Sequence, residues 1–385
     1  MKNILITGGA GFIGSEIVNK LYNTKEWNIT VLDILSEQIH GKNSEESYLY
    51  NSIKDKCRFI KGDVRDFDTV NKAVGNNEYI IHLAAETGTG QSMYQINRYN
   101  EVNIMGTSNL FQAISNLGKE SKVKKIILSS SRSVYGEGKY NCPVCGVIYP
   151  NSRNRETMLK GDFNLYCPKC GKKLELVPTT EDSIVNPCSL YAFTKYSQEK
   201  MLQTLCPAMN IDYTIFRFQN VYGAGQSLKN PYTGILSIFS TLMLENKPIN
   251  IFENGLESRD FIHVKDIADG VIASISNKQS NGEIINLGSG INTTVIEIAE
   301  ILKKAYNSQS KLNITGDFRV GDIAHNKADI SKAEKLLNFK PKITLENGLN
   351  DFCKWVKGQS TDNSGYEKSL SEMEQSGLFI RKNKA

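Results

Sequence analysis

The stretch Met1-Lys-Asn-Ile-Leu-Ile-Thr7-Gly-Gly-Ala-Gly-Phe-Ile-Gly14 decides the fold. An apolar run, Asn3–Thr7, ends in glycines at 8, 11 and 14, and helical spacing of apolar residues runs from Ile13 to Tyr22. Three glycines so spaced allow a tight turn, close approach of a pyrophosphate, and tight packing of helix on strand. The amino end of the helix then turns backbone N–H groups and a positive dipole toward the phosphates. Gly8, Gly11, Phe12, Ile13 and Gly14 are the first candidate cofactor residues. Alone, such a loop is a weak signal, because glycine turns also occur for purely conformational reasons.

The second strand strengthens the signal through its register. Its apolar run closes as Asn28-Ile-Thr-Val-Leu-Asp33, placing Asp33 19 residues after Gly14. A carboxylate there can accept both ribose hydroxyls of an adenosine and repels a 2′-phosphate, which favours NAD over NADP. Asp63 in Gly62-Asp-Val64 is placed to meet the adenine, with a solvated loop acid as the plain alternative. Val64, with Leu83, Ala84 and Ala85 after the fourth run, is counted in the same cofactor set. Buried runs at Arg58–Ile60, Tyr79–Leu83 and Lys125–Ser129 alternate with helical stretches such as Val102–Leu117. That alternation predicts an α/β fold with a doubly wound parallel sheet.

The pattern breaks at Lys139 and resumes with a helix over Tyr191–Leu205, a strand at Tyr213–Phe216 and a helix at Ile235–Glu245. The expected division is 1–138 for the dinucleotide domain, 139–177 for an insert, and 178–355 for the remaining sheet elements with a smaller domain. A polar, turn-rich tail over 356–385 is expected to be mobile in part. The chain has 385 residues, so two domains or one with an insertion is the expectation. Its formal net charge of +5 is too mild to imply nucleic acid or a membrane surface without a clustered basic face. No apolar run approaches the length of a membrane span, and glycines interrupt the amino-terminal run before a signal region can form. A cytoplasmic location follows as an expectation, and with it eight cysteines that do not form disulfides.

Ser129-Ser-Ser-Arg-Ser-Val-Tyr135-Gly follows the fifth run, at the end of the sheet where ligands bind in this architecture. Tyr191-Ala-Phe-Thr-Lys195 opens the next helix, and residues four apart share one helical face. An unperturbed phenol has a pKa near 10, so a neighbouring cation is needed to make it a base at neutral pH. A serine hydroxyl can hold a substrate oxygen as charge develops on it.

With these motifs in order, the chain resembles the extended short-chain dehydrogenase/reductases, in the branch that acts on nucleotide sugars. The resemblance covers most of residues 1–355 once 139–177 is set aside. It implies a Rossmann fold with a smaller C-terminal substrate domain, a bound NAD, a nucleoside-diphosphate sugar as substrate, and a homodimer. It makes Ser131, Tyr191 and Lys195 the catalytic triad. It places Asn220, in Arg217-Phe-Gln-Asn220-Val-Tyr-Gly, near the sugar diphosphate. It offers Arg259 of Arg259-Asp-Phe-Ile-His-Val-Lys-Asp266 and Arg319 of Arg319-Val-Gly-Asp322 to the same phosphates, with Asp322 in the substrate set. Read from spacing alone, each arginine is better taken as a surface ion pair. Family dehydratases carry an Asp-Glu pair where this chain has Arg132-Ser133, so dehydration is disfavoured and 4-epimerisation through a transient 4-keto sugar is expected. The stretch Asn220-Val-Tyr-Gly-Ala-Gly-Gln-Ser-Leu-Lys-Asn-Pro-Tyr-Thr-Gly234 and a cysteine-rich insert at this place are similar to bacterial dTDP-L-rhamnose 4-epimerases. A UDP-sugar 4-epimerase or a 4,6-dehydratase is the alternative within the family.

Cys142-Pro-Val-Cys145-Gly and Cys167-Pro-Lys-Cys170-Gly are two knuckles separated by 21 residues. Two such pairs can complete a closed tetrahedral Cys₄ zinc site, which is structural because no position is left for a substrate. A non-catalytic NAD sensor that binds through this ribbon is the alternative of a different class, and the intact Ser131, Tyr191 and Lys195 argue against it. Cysteines 57, 188, 206 and 353 are expected to be small buried hydrophobes, and His82 and His263 structural. Segment 139–177 holds seven Lys or Arg against three Asp or Glu, so +4 of the formal +5 lies between Ser131 and Tyr191. An anionic substrate is its nearest candidate partner.

Overall fold

A computed structural model of the chain describes residues 1–228, 234–359 and 364–382. The core is a seven-stranded sheet in which every neighbouring pair is parallel. Its order runs Glu283–Leu287, Asp212–Phe218, Lys125–Ser131, Tyr79–His82, Lys2–Thr7, Trp27–Asp33, Arg58–Lys61. Strand order reverses beside Lys2–Thr7, so the crevice at the carboxyl ends opens there, next to the glycine turn. Alternate residues face opposite layers, as a pleated strand requires. Ile4 and Ile6 join one buried cluster with Ile17, Leu21, Ile267 and Val271 of the helices Phe12–Thr24 and Val264–Ile275. Leu5 joins the other with Val70, Leu110, Ile114 and Leu202, from helices on the opposite face.

A smaller third core lies beyond the sheet, where Phe239, Leu302, Leu349 and Phe352 bring together the helices Ile235–Leu244, Val295–Tyr306 and Leu345–Lys357. Residues Tyr140–Leu176 leave the sheet as a separate small body. In it the strand Tyr140–Cys142 pairs antiparallel with both Gly146–Ile148 and Glu175–Leu176. A five-residue helix, Arg155–Leu159, lies between the two knuckles. The tail differs from the expectation of a turn-rich segment: Ser364–Gln375 is helical, and Phe379–Ile380 pairs with Phe318–Arg319. The reason is apolar spacing, since Leu370 and Met373 share one buried face with Phe379 and pack beside Phe252. Among the described residues no helix is long and apolar enough to cross a membrane.

Candidate active site

One cavity of about 1000 Å³ opens along the carboxyl ends of the strands. Gly8, Gly11, Phe12, Ile13, Gly14, Asp33, Asp63, Val64, Leu83, Ala84 and Ala85 line one part of it. Ser131, Tyr191, Lys195, Asn220, Arg259, Arg319 and Asp322 line the rest. The glycine turn leaves no room for side chains. A Cβ on Gly8 would meet the Ala84 backbone nitrogen at 2.7 Å, and one on Gly14 the Gly8 carbonyl at 2.4 Å. Helix Phe12–Thr24 has no side-chain cap and no acid in its first turn, so its N–H groups and dipole remain available to phosphates. Asp33 accepts the N–H of Ala10 at 3.0 Å and of Leu35 at 2.8 Å, which orients the carboxylate at the strand end. Burial raises its pKa, while these bonds favour the anion. The uncapped helix end and the cavity beside the glycine turn fit a dinucleotide. Asp63 lines the same end, but both its oxygens already receive bonds from Arg65, at 2.6 Å from Nη2 and 2.9 Å from the backbone N–H.

Ser131 ends its strand, and helix Leu190–Ala208, capped by Ser189, starts beside it. The Tyr191 backbone donates N–H to Ser92 Oγ at 3.0 Å, and the Tyr99 ring lies edge-on at 6.4 Å, which together hold the phenol in place. Burial raises the Tyr191 pKa; the neighbouring Ser131 hydroxyl and the Arg132 charge pull it down. Lys195, one turn along, is buried, and loss of hydration lowers its pKa to about 7 against the opposing pull of Glu199. Glu199 is itself buried and clasps Arg217 at 2.7 Å.

The substrate candidates divide. Among the described residues Asn220 Oδ1 and Arg319 Nε are buried without a hydrogen-bond partner, and both residues line the cavity. Gln226 Oε1 and Ser227 Oγ are in the same condition. Orphaned buried polar atoms around a cavity are what a polar ligand would satisfy. Arg259, offered by its motif to the same phosphates, also lines the cavity and is held in place by the protein's own acceptors. Its Nη nitrogens are taken by the carbonyls of Ser258, Ile323 and Ala324 at 2.9, 2.9 and 3.0 Å, and by Asp322 Oδ1 at 3.1 Å. The loop after Arg319 wraps the guanidinium, which satisfies the carbonyls of Ile323 and Ala324. Of the stretch ending at Gly234, residues 229–233 lie outside the described residues.

Several cavity residues carry no signal of their own in the sequence. Glu257 lines the wall with its pKa pushed to about 8 by burial and by Glu253. Tyr366 and Phe252 arrive from the tail helix and a distant loop. Arg132 is visible in the sequence as the residue after Ser131, but its reach toward Tyr191 is not. His82 is buried between Thr7 Oγ1 at 2.7 Å and Thr107 Oγ1 at 3.0 Å, and His263 caps the helix Val264–Ile275, both away from any ligand set. Cys206 and Cys353 are buried, whereas Cys57 and Cys188 are only half-buried.

The model of the NAD dependent epimerase/dehydratase family matches residues 4–153 and 168–288. The chain belongs to that family. It is 35% identical to a dTDP-L-rhamnose 4-epimerase of Burkholderia thailandensis, covering 92% of this chain and 95% of that one. A UDP-glucuronic acid 4-epimerase of Bacillus cereus, solved with UDP-glucuronic acid and NAD, superposes with a TM-score of 0.75 at 26% identity, covering 92% and 99%. A UDP-N-acetylglucosamine 4-epimerase of Methanobrevibacter ruminantium, in complex with UDP-N-acetylmuramic acid, gives 0.73 at 31% identity, covering 93% and 99%. The protein is an NAD-dependent epimerase of the nucleotide-sugar branch of the extended short-chain dehydrogenase/reductases. The unmatched interval of the family model, 154–167, lies inside the cysteine insert.

In that insert the four Sγ atoms of Cys142, Cys145, Cys167 and Cys170 lie within 4.8 Å of one another, and none is in a disulfide. A tetrahedral ion with bonds of about 2.3 Å sets its sulfurs roughly 3.8 Å apart. Gly146 and Gly171, each directly after a knuckle, adopt φ of +75° and +71°, the left-handed turn that each pair requires. The donor set can hold one ion and leaves it no open position.

Proposed function

We propose that the protein interconverts the C4 epimers of a nucleoside-diphosphate 6-deoxyhexose, dTDP-L-rhamnose and dTDP-6-deoxy-L-talose. The observation that carries the reaction class is the convergence of Ser131, Tyr191 and Lys195 at the strand end, with Arg132 and Ser133 directly after Ser131, where family dehydratases carry an Asp-Glu pair. The 35% identity to the Burkholderia enzyme supports the choice of sugar. Tyr191 takes the proton of the 4-hydroxyl while Ser131 holds that oxygen, and the Lys195 ammonium stabilises the phenolate. Bound NAD supplies the reversible acceptor for the hydrogen and electron pair taken from carbon 4. The glycine turn and Asp33 would hold it, with Phe12, Ile13, Asp63, Val64 and the Leu83–Ala85 segment around its adenosine half. Asn220, Arg319 and the Asp322 loop would keep the diphosphate while the ketone turns over, so that Tyr191 returns its proton to the other epimer.

The cysteine set would hold one structural zinc. The chain would act in the cytoplasm as a homodimer. Incubation with dTDP-L-rhamnose, followed by proton NMR and mass, tests the proposal. A changed coupling at H4 with unchanged mass is expected. Loss of one water would replace epimerisation by dehydration, and turnover of UDP-sugars alone would overturn the choice of substrate.

A further inference from the structure

We propose that the cysteine-knuckle insert positions the sugar-nucleotide end of the cavity, and that Arg153 is the positioning residue through which it does so. This rests on the proposed function, in which Arg319 and Asp322 face the sugar nucleotide.

Arg153 belongs to the insert, yet it makes most of its bonds outside it. Its side chain is 2% exposed. Both Nη atoms bond the Glu253 carboxylate, Nη2 at 2.8 Å to Oε1. Nη2 also donates to the Asp322 carbonyl at 2.9 Å. Its Nε lies 3.8 Å from Glu137 Oε1, and neither atom has a hydrogen-bond partner among the described residues. The second oxygen of Glu137 accepts the Ala324 N–H at 2.9 Å. Arg153 thus joins the insert to two buried carboxylates and to the backbone at Asp322.

That backbone is the segment that carries Arg319 and Asp322 into the cavity and fills the Nη positions of Arg259. The apolar side agrees. Ala324 is part of the insert's own core with Tyr140, Ile148 and Leu174. Phe318, directly before Arg319, packs on Phe163 and Met158 of the insert. The segment 318–324 is therefore held between the insert on one side and the substrate cavity on the other. The glycine turn and Asp33 make no bond to this network.

A buried guanidinium that bonds one carboxylate and a carbonyl and lies beside a second carboxylate cannot be removed without consequence. Its loss leaves Glu253 and Glu137 buried without their nearest counter-ion, with the Arg259 cation still acting on them, and movement of the adjoining loop relieves the cost. A shift of about 1 Å at a positioning group can cost on the order of a hundredfold in function. Lysine keeps the charge but offers no planar fork, so it can serve one of these acceptors well and not all of them.

The test measures dTDP, UDP and NAD binding to the full-length protein by calorimetry, in the parent, R153M, R153K and R319M. Expected is a loss of about tenfold or more in the affinity of whichever nucleoside diphosphate binds the parent in R153M. A smaller loss is expected in R153K, with NAD affinity within about twofold of the parent in both. If R153M does not fold, R153K is the variant read. Equal losses for NAD and the nucleoside diphosphate would make Arg153 a general stability residue and overturn the proposal. Unchanged nucleoside diphosphate binding in R153M or R153K, with binding lost in R319M, would overturn the brace and leave the site reading intact. Unchanged binding in R319M would overturn both.

Discussion

Replacing Glu199 by glutamine tests the architecture under the catalytic helix. The Glu199 carboxylate is fully buried and collects three donors on two oxygens: Arg217 Nε at 3.0 Å, Arg217 Nη2 at 2.7 Å and Ser130 Oγ at 2.5 Å. Arg217 is itself 2% exposed, stacked 4.6 Å from the Tyr135 ring and bonded to the Glu181 carbonyl at 3.1 Å. Glutamine has the same shape but only one acceptor oxygen, and its amide would face a guanidinium donor. Removing one member of a buried ion pair costs about 3–5 kcal/mol. At about 2.1 cal/mol/K per residue the unfolding entropy is roughly 0.8 kcal/mol/K for a chain of this length, so Tm should fall by about 4–6 °C. Differential scanning calorimetry of parent, E199Q and the double variant E199Q/R217M reads this directly. The double variant removes both charges and should recover part of the loss, since partners in contact do not add. An E199Q transition within about 1 °C of the parent, or a double variant less stable than E199Q, would refute the reasoning.

Gly14→Ala would set a methyl 2.4 Å from the Gly8 carbonyl and 2.6 Å from Gly9 Cα, both backbone. The turn must open, at about 1–3 kcal/mol, and NAD affinity measured by fluorescence should fall at least tenfold. Burial holds His82 at about 3 and His263 and His325 at about 4, all below the usual 6.5. Each is neutral when folded and takes up a proton on unfolding, so their contribution is complete above pH 6.5 and is lost as pH falls toward 4. A Tm constant from pH 7 to 5 would exclude this. Elemental analysis should find one zinc per chain, and C142S/C167S should lose the metal and lower Tm while NAD binding persists. Glu199 also favours the charged form of Lys195, so E199Q should lower the pH above which activity declines, read from kcat/KM profiles.

What the sequence reveals and what it hides divide by the distance between partners along the chain. The glycine turn is legible because its constraints are local: Gly14 must clear Gly8, six residues earlier, and any chain with that turn shows the spacing. Ser131 is legible because a strand end is, and Tyr191 with Lys195 because one helical turn joins them. The motif of Arg259 does not show what holds its guanidinium, because three of its four acceptors, at Asp322, Ile323 and Ala324, stand 63 to 65 positions further on, beyond the reach of any local pattern. Tyr366 reaches the cavity from a tail that reads as polar, because its apolar residues find partners such as Phe252 only in three dimensions. Glu253 and Glu137 look like surface acids until Arg153 is placed against them.

The position of the insert then has a physical explanation. Ser131 and Tyr191 stand 60 residues apart in sequence, and both line one cavity. Lengthening a loop is cheap, about 0.6 kcal/mol for each doubling, provided its ends are fixed independently of its length. Here they are fixed close to the site. Asn186 donates its N–H to the Val134 carbonyl at 2.9 Å, and Gly136 sits at a φ of +61° where a Cβ would meet the Asn186 carbonyl at 2.5 Å. The two ends of the long connection are therefore pinned to each other before the chain departs into the knuckles. Lys139 N–H to Thr179 Oγ1 at 3.1 Å and Val177 N–H to the Lys139 carbonyl at 3.3 Å repeat the clasp one step further out. A body hung on such a double clasp can grow without moving Ser131 relative to Tyr191. It is then free to put its far side, through Arg153, against the loop that holds Asp322.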